Sequence, residues 1–170
     1  VSDELRRVVT IAQPPVLADL ASITDGLFAQ ALAFDGRNIY VLATDKEVYR
    51  LNEQLKNLVP SRLSKEGLAV AQEASFENGL IYALDDRPGL SLYDPQAGTA
   101  AASVTMPAAG DVWKDVYAYG DRAYVLSFTG TEPRILRYPK VEGGFGEPSN
   151  WLKARESDVS DAVSLAVDGT

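Results

Sequence analysis

The sequence predicts an all-β protein built from repeated antiparallel units, and three observations lead to this prediction. One pattern of short strand, Gly-containing turn and second strand occurs three times, in residues 33–52, 75–94 and 118–138. Tyrosines in equivalent places of these units are equally spaced along the chain: Tyr40, Tyr82 and Tyr124. The runs are rich in β-branched and aromatic residues and end at turns such as Asp-Gly or Asn-Gly, which is typical of β-hairpins.

Each unit is expected to hold four strands in chain order. In the first unit we expect strands at 31–34, 38–43, 47–51 and, more weakly, 58–63. Turns at Asp35-Gly36 and Asp45-Lys46 separate the first three, because Asp and Gly favour tight turns. The weaker fourth strands of the later units are expected at 99–105 and 150–153.

Four strands in about 42 residues is the length of one blade of a β-propeller. One such sheet cannot bury both faces, so the blades stack radially and the repeated tyrosines are expected to pack between them. A partial fourth copy begins at 164–170, and 15–23 is interpreted as the outer strand of a preceding blade. The expected fold is therefore a β-propeller of about three full blades with partial blades at both ends. A β-sandwich with coincidental spacing is the alternative, since seven or more short strands fit it too.

The expected organisation is an N-terminal arm at 1–14, followed by a partial propeller domain at 15–170. An open stack of blades exposes strand edges and apolar faces. We therefore expect a larger propeller, completed by further residues, by another chain or by self-association.

Composition excludes several kinds of chemistry. The 170 residues include no Cys and no His, which excludes thiolate nucleophiles, Ser-His-Asp triads and ordinary zinc sites. Sixteen basic against 24 acidic residues give a net charge of −8, which disfavours nucleic acid as a partner. No apolar run approaches the ~20 residues that span a bilayer, so no direct membrane insertion is expected.

Candidate contact residues come from the loops that lead into the blades and from the turns between second and third strands, which emerge on one face of a propeller. Those loops and turns carry Asp85, Asp86, Arg87, Trp113, Lys114, Asp115, Asp158 and Asp161. Phe128 joins them from a long turn expected at 128–133. Trp113 is a contact candidate because tryptophan is enriched at binding hot spots. Solvated turns are the competing interpretation of the aspartates, and no catalytic residue, metal ligand or cofactor is assigned.

The glycine-rich stretch GGFGEP at 143–148 superficially resembles a phosphate-binding loop. Such a loop needs a strand before it and a helix after it. Pro148 and an expected outer strand follow here instead, so we interpret the stretch as a long hairpin loop.

The motifs AFDGRNIYVL (33–42), EVYRLN (47–52) and AVDGT (166–170) resemble NHL-type and related six-bladed propellers. The stretch 151–170 is also similar to propeller segments that follow the membrane anchor in bacterial proteins with a PP2C-type phosphatase domain. This resemblance implies an extracytoplasmic sensing or interaction module of a larger bacterial protein, by analogy of fold.

Three functions follow as hypotheses. The expected one is a non-enzymatic binding or sensory propeller that contacts a protein or small-molecule ligand through the loops leading into its blades, so the chain is expected not to be an enzyme. The second is a calcium-dependent, lactonase-like hydrolase, which would need a divalent ion held near the axis by oxygen ligands. The third is an assembly module that pairs through its open blade edges.

Overall fold

The computed structural model describes residues 18–52, 61–62, 71–85, 89–104, 111–142, 144–152 and 161–167. These residues form three antiparallel sheets, which we call blades 1, 2 and 3. The expected all-β architecture of four-stranded antiparallel blades is confirmed. The arm expected at 1–14 lies outside the described residues.

Each blade is a meander in which strands pair in chain order, except that the last strand of blade 3 pairs with the third strand of that blade. Blade 1 contains β1 (Ala29–Phe34), β2 (Asn38–Ala43), β3 (Val48–Asn52) and β4 (Ser61–Arg62). Blade 2 contains β5 (Ala71–Glu77), β6 (Leu80–Asp85), β7 (Leu90–Asp94) and β8 (Thr99–Val104). Blade 3 contains β9 (Asp111–Ala118), β10 (Arg122–Thr129), β11 (Glu132–Val141), β12 (Gly144–Phe145) and β13 (Ser149–Asn150).

Local turn chemistry explains the first hairpin of blades 1 and 2. In blade 1 the Asp35 carboxylate accepts hydrogen bonds from the backbone amides of Arg37 (2.7 Å) and Asn38 (2.6 Å). Gly36 has a φ of +91° and Gly79, in the matching turn of blade 2, a φ of +81°. A Cβ at either glycine would meet no atom within 4 Å, so it is the left-handed backbone that requires glycine there.

Apolar side chains fill the spaces between the blades. Tyr40 and Leu42 of blade 1 pack against Ile81 and Tyr93 of blade 2. The next interface joins apolar residues of blades 2 and 3, with Tyr82, Leu84, Leu92, Trp113, Val125, Leu136 and Tyr138 at its centre. Burying a side chain such as Leu contributes about 1.5–3 kcal/mol. The expected packing role of Tyr40, Tyr82 and Tyr124 agrees with their exposures of 5%, 0% and 5%.

The first strand of each blade lies innermost, and these strands meet their neighbours: β1 contacts β5, and β5 contacts β9. All three contain a β-bulge at the same place in the repeat, where one residue has no cross-strand partner. The unpaired residue is Gln30, Gln72 or Lys114, so the bulges follow the same spacing as the repeated tyrosines. A bulge changes the direction in which nearby side chains point.

Two expectations of the sequence analysis are wrong at this level. Within the stretch 15–23, the described residues form no strand; Leu20–Ser22 is a 3-10 helix instead. The Asp19 side chain caps this turn by accepting from the Ala21 amide. Leu20 of this segment and the later Leu27 pack near Val41, and so cover part of the face of blade 1 that points away from blade 2.

The second correction concerns 143–148, which was expected to be a loop. Gly144 and Phe145 form β12, which pairs with Lys140 and Val141 of β11. The Phe145 ring packs edge-on against Tyr82 at a centroid distance of 5.9 Å. Packing of this partly buried ring against the interface between blades 2 and 3 therefore overrides the loop preference of the glycines.

Candidate functional site

A cleft opens between blade 3 and the segment that follows it, which we call the blade 3 cleft. Its volume is about 500 Å³. It is lined by Val112, Lys114, Phe128, Gly130, Thr131, Asp161, Ala162 and Val163. Three of the residues singled out from the sequence, Lys114, Phe128 and Asp161, therefore lie at one place.

Different elements bring these three side chains together. Lys114 is the bulge residue of β9, and Phe128 lies near the end of β10. Asp161 belongs to the stretch that leads from blade 3 into the next innermost segment. Contacts were expected from loops of this kind. Gly130, with a φ of +62°, closes the tight turn between β10 and β11 at the rim.

Phe128 does not lie in a long turn, and this expectation is wrong. It is a strand residue that pairs with Val112 on one side and Pro133 on the other, and it is 9% exposed. The cross-strand pairs continue up to Thr129 and Glu132, so the turn itself is short. The Phe128 ring is consequently a wall of the cleft and does not project from a loop.

The cleft carries one positive and one negative side chain. Lys114 lines it from β9 and Asp161 from the segment after blade 3, and both residues are exposed. Within the described residues, neither group forms an ion pair or hydrogen bond with the other or with a third residue. No described residue therefore competes with a bound molecule for either charge.

Asp115 was expected on the surface, and this expectation is wrong. It lies in β9, is 6% exposed and binds the segment that follows blade 3. Its Oδ2 atom accepts hydrogen bonds from the Leu165 amide (2.7 Å) and the Ser164 hydroxyl (2.8 Å). Asp115 thereby holds the segment 161–167 against blade 3, and the first residues of that segment form one side of the cleft.

Trp113 was also expected to face a ligand, and this expectation is wrong as well. It is 4% exposed and packs against Tyr138 at a centroid distance of 5.8 Å, inside the interface between blades 2 and 3. Nearby, the Thr129 hydroxyl donates to the buried carboxylate of Asp111. Burial and the negative charges of Asp111 and Glu147 raise the pKa of Tyr138 to about 12.

The remaining sequence candidates are not brought into the cleft by any described contact. Asp85 is the last residue of β6. Its side chain, together with Asp86, Arg87 and Asp158, lies outside the described residues.

A second cleft of about 400 Å³ lies where the innermost strands converge, and we call it the axial cleft. Residues of β1, β5 and β9 line it together with Ser164 and Leu165. Glu73 lies here and was missed by the sequence analysis. Partial burial and the charge of Asp115 raise the pKa of Glu73, although solvent reaches the side chain.

A signal for Glu73 was present in the repeat. Glu73 and Asp115 occupy equivalent positions of consecutive units, and each pairs with the equivalent leucine of the neighbouring strand, Leu84 or Leu126. Among the residues that the structure describes, no group of three or more acidic, His or Cys side chains is placed to hold a metal ion. No helix within the described ranges is long and apolar enough to cross a membrane.

Comparison with known proteins gives information on the type of fold. No protein-family model and no curated protein matches the sequence. Among solved structures, a europium-containing methanol dehydrogenase is similar with a TM-score of 0.51 and 14% identity, over 73% of this chain and 26% of that one. The computationally designed Ika4 protein is similar with a TM-score of 0.51 and 10% identity, over 72% of each chain. A glutaminyl cyclase from Myxococcus xanthus has a TM-score of 0.49 and 16% identity, over 65% of this chain and 48% of that one.

The methanol dehydrogenase has a β-propeller-type fold, and at such a low identity the similarity shows the fold alone. The chain spans less than half the length of the cyclase and about a quarter of the dehydrogenase. The expectation that the chain is not an enzyme is contradicted, because the methanol dehydrogenase, an enzyme, has a similar fold. Absent Cys and His residues exclude particular mechanisms, but they do not exclude enzymes of this fold. The chain is thus an all-β protein of propeller-type architecture.

Proposed function

We propose that this propeller binds a small organic molecule in the blade 3 cleft. The observation that carries the proposal is the meeting of Lys114, Phe128 and Asp161, which come from three separate elements, in one cleft. Binding is a property that enzymes and interaction modules of this fold class share, so the proposal holds for either.

The size and lining of the cleft support a small ligand. Binding sites for small molecules commonly measure about 300–1,000 Å³ and combine apolar walls with a few polar groups. The blade 3 cleft, at about 500 Å³, is lined by Val112, Phe128 and Val163 together with two charged side chains. Val112 and Val163 are 50% and 76% exposed, so a ligand would remove apolar surface from water.

A titration followed by NMR tests this proposal. We expect 3-methylbutylamine and 4-methylpentanoate, two small molecules with the same apolar end, to shift the amide signals of Lys114, Thr131 and Val163. Val163→Glu should abolish the shifts caused by 4-methylpentanoate, because it places a second negative charge on an apolar wall. Val141→Glu is the matched control, since Val141 is 48% exposed on β11 and does not line the cleft. Equal effects of the two variants, or shifts confined to other regions, would contradict the proposal.

The wider setting is part of the same proposal. The resemblance of 33–42 and 166–170 to NHL-type blades supports a six-bladed propeller, with 15–170 as one unit of it. The similarity of 151–170 to segments of bacterial PP2C-type phosphatase proteins supports an extracytoplasmic position. In that setting, the ligand of the cleft would be the molecule that the propeller senses or processes.

A further inference from the structure

We propose that the blade 3 cleft selects a free α-amino acid with a branched apolar side chain, in its zwitterionic form. This inference rests on the proposed binding function and adds the chemical class of the ligand. It follows from the two charges of the cleft and from the apolar surface between them.

The two charges are opposite in sign, come from different elements of the chain and have no partner among the described residues. Lys114 comes from the bulge of β9, whereas Asp161 comes from the segment after blade 3. No described residue is within ion-pair or hydrogen-bond distance of either charged group. The cleft therefore presents a donor cation and an acceptor anion that are not neutralised by each other.

A zwitterion is the ligand that pairs with both groups at once. Its carboxylate would accept hydrogen bonds from the Lys114 ammonium, and its ammonium would donate to the Asp161 carboxylate. A simple carboxylate would pair with Lys114 but meet the like charge of Asp161, and a simple amine would have the reverse problem. Discrimination of this kind depends on the unfavourable contact as much as on the favourable one.

The bulge explains why a cation stands at this position. Trp113 and Asp115, its neighbours in β9, are buried, whereas Lys114 is exposed. An uninterrupted strand would alternate its side chains between the two faces of the sheet. The bulge adds Lys114 without a cross-strand partner, so its side chain reaches the cleft while its neighbours stay in the interfaces on either side of blade 3.

The apolar walls define the side chain of the ligand. Phe128 closes the cleft from β10, and the exposed surfaces of Val112 and Val163 face the same space. An aliphatic group of the size of a leucine side chain would cover these surfaces. Glycine, which has both charged groups and no side chain, would gain none of this contact.

Isothermal titration calorimetry with four compounds separates these contributions. L-leucine has both charges and the apolar group, 4-methylpentanoate lacks the ammonium, 3-methylbutylamine lacks the carboxylate, and glycine lacks the side chain. We expect L-leucine to bind at least about tenfold more tightly than each of the other three. Lys114→Ala should remove the advantage of leucine over the amine, and Asp161→Asn its advantage over the carboxylate.

Matched controls change an exposed charge elsewhere. Lys140→Ala and Asp25→Asn replace exposed groups that do not line the cleft, and both should leave leucine affinity unchanged. If the amine or the carboxylate binds as tightly as leucine and Val163→Glu abolishes that binding, the amino-acid class is overturned and the cleft remains a binding site. If none of the four compounds binds or shifts a cleft amide, the inference and the proposed function both fail.

Discussion

At the scale of single residues, one carboxylate organises the first hairpin of blade 1. The Asp35 side chain accepts from two backbone amides, from the Asn38 side chain (2.7 Å) and from the Tyr40 hydroxyl (2.9 Å). Burial by itself raises the pKa of Asp35, but the hydrogen bonds from Asn38, Arg37 and Tyr40 outweigh it and lower the pKa to about 2. The turn at Asp35-Gly36 and the interface residue Tyr40 are therefore linked through the ionised carboxylate of Asp35.

The first prediction concerns acid stability. The pKa of Asp35 falls from 3.8 to about 2 on folding, so its ionised form stabilises the fold above pH 3.8, and this contribution is lost as the pH falls towards 2. Asp35→Ala should therefore destabilise the protein at pH 6 and approach the wild-type stability near pH 2. Urea unfolding at a series of pH values measures this, with Asp25→Ala as the exposed control. A constant difference across the series would contradict the assignment.

The second prediction compares two buried serines with different surroundings. The Ser75 hydroxyl oxygen accepts from the Ala118 amide at 3.1 Å, which joins blades 2 and 3. The Ser127 hydroxyl is fully buried and has no hydrogen-bond partner among the residues that the structure describes. Ser75→Ala should cost about 1 kcal/mol of unfolding free energy, whereas Ser127→Ala should be neutral or stabilising by about 1 kcal/mol. Chemical denaturation of both variants checks the opposite signs, and equal losses would show that Ser127 has a partner such as an ordered water.

At the scale of elements, the innermost strands carry both the connections between blades and the clefts. Two hydrogen bonds make such connections: the Ala118 amide of β9 donates to Ser75 of β5, and the Leu165 amide donates to Asp115 of β9. The turns make further contacts, since the Gly120 amide donates to the Glu77 carboxylate at 3.1 Å. Loss of one side-chain acceptor should therefore loosen a whole segment.

The third prediction tests this connection at Asp115. Asp115→Ala removes the acceptor for the Leu165 amide and the Ser164 hydroxyl, so the segment 161–167 should separate more readily from blade 3. Hydrogen exchange of the Leu165 amide should become at least about tenfold faster, while exchange within β6 should change little. Asp121→Ala, which removes an exposed contact with Asn78, is the control. Unchanged protection of Leu165 would show that other contacts hold the segment.

At the scale of the whole molecule, neighbouring blades bury faces against each other, but the face of blade 1 that points away from blade 2 is partly open. Along β1 and just before it, the side chains of Phe28 (66%), Leu32 (58%) and Phe34 (53%) are exposed. Leu32 and Phe34 alternate along β1 with Ala31 and Ala33, which are buried against blade 2. Large exposed apolar side chains on one sheet face favour association.

The fourth prediction is that the 170-residue chain associates through this face. Its apparent mass, measured by size-exclusion chromatography with light scattering, should rise above 18.3 kDa over a tenfold increase in concentration. Leu32→Glu should keep the chain monomeric, because it places a charge in the apolar face. Val141→Glu changes an exposed valine on blade 3 and should leave the association intact. A wild-type chain that stays monomeric throughout the range would contradict this prediction.

Sequence alone determined the repeat, the strand order within each blade and the packing role of Tyr40, Tyr82 and Tyr124. These features depend on local turn chemistry and on a pattern that recurs at a constant interval. The turn residues and the interval can both be read directly from the sequence. The observed β1, Ala29–Phe34, and β2, Asn38–Ala43, agree closely with the expected strands.

Tertiary structure decided the surroundings of each candidate residue. Trp113, Lys114 and Asp115 are adjacent in sequence, yet one lies between blades 2 and 3, one in the cleft and one against the next innermost segment. Their separation depends on a bulge, which exists only once β9 has paired with β10. The blade 3 cleft likewise needs Val163 to meet Phe128 across a long stretch of chain, and such contacts arise from packing between blades because no local pattern specifies them.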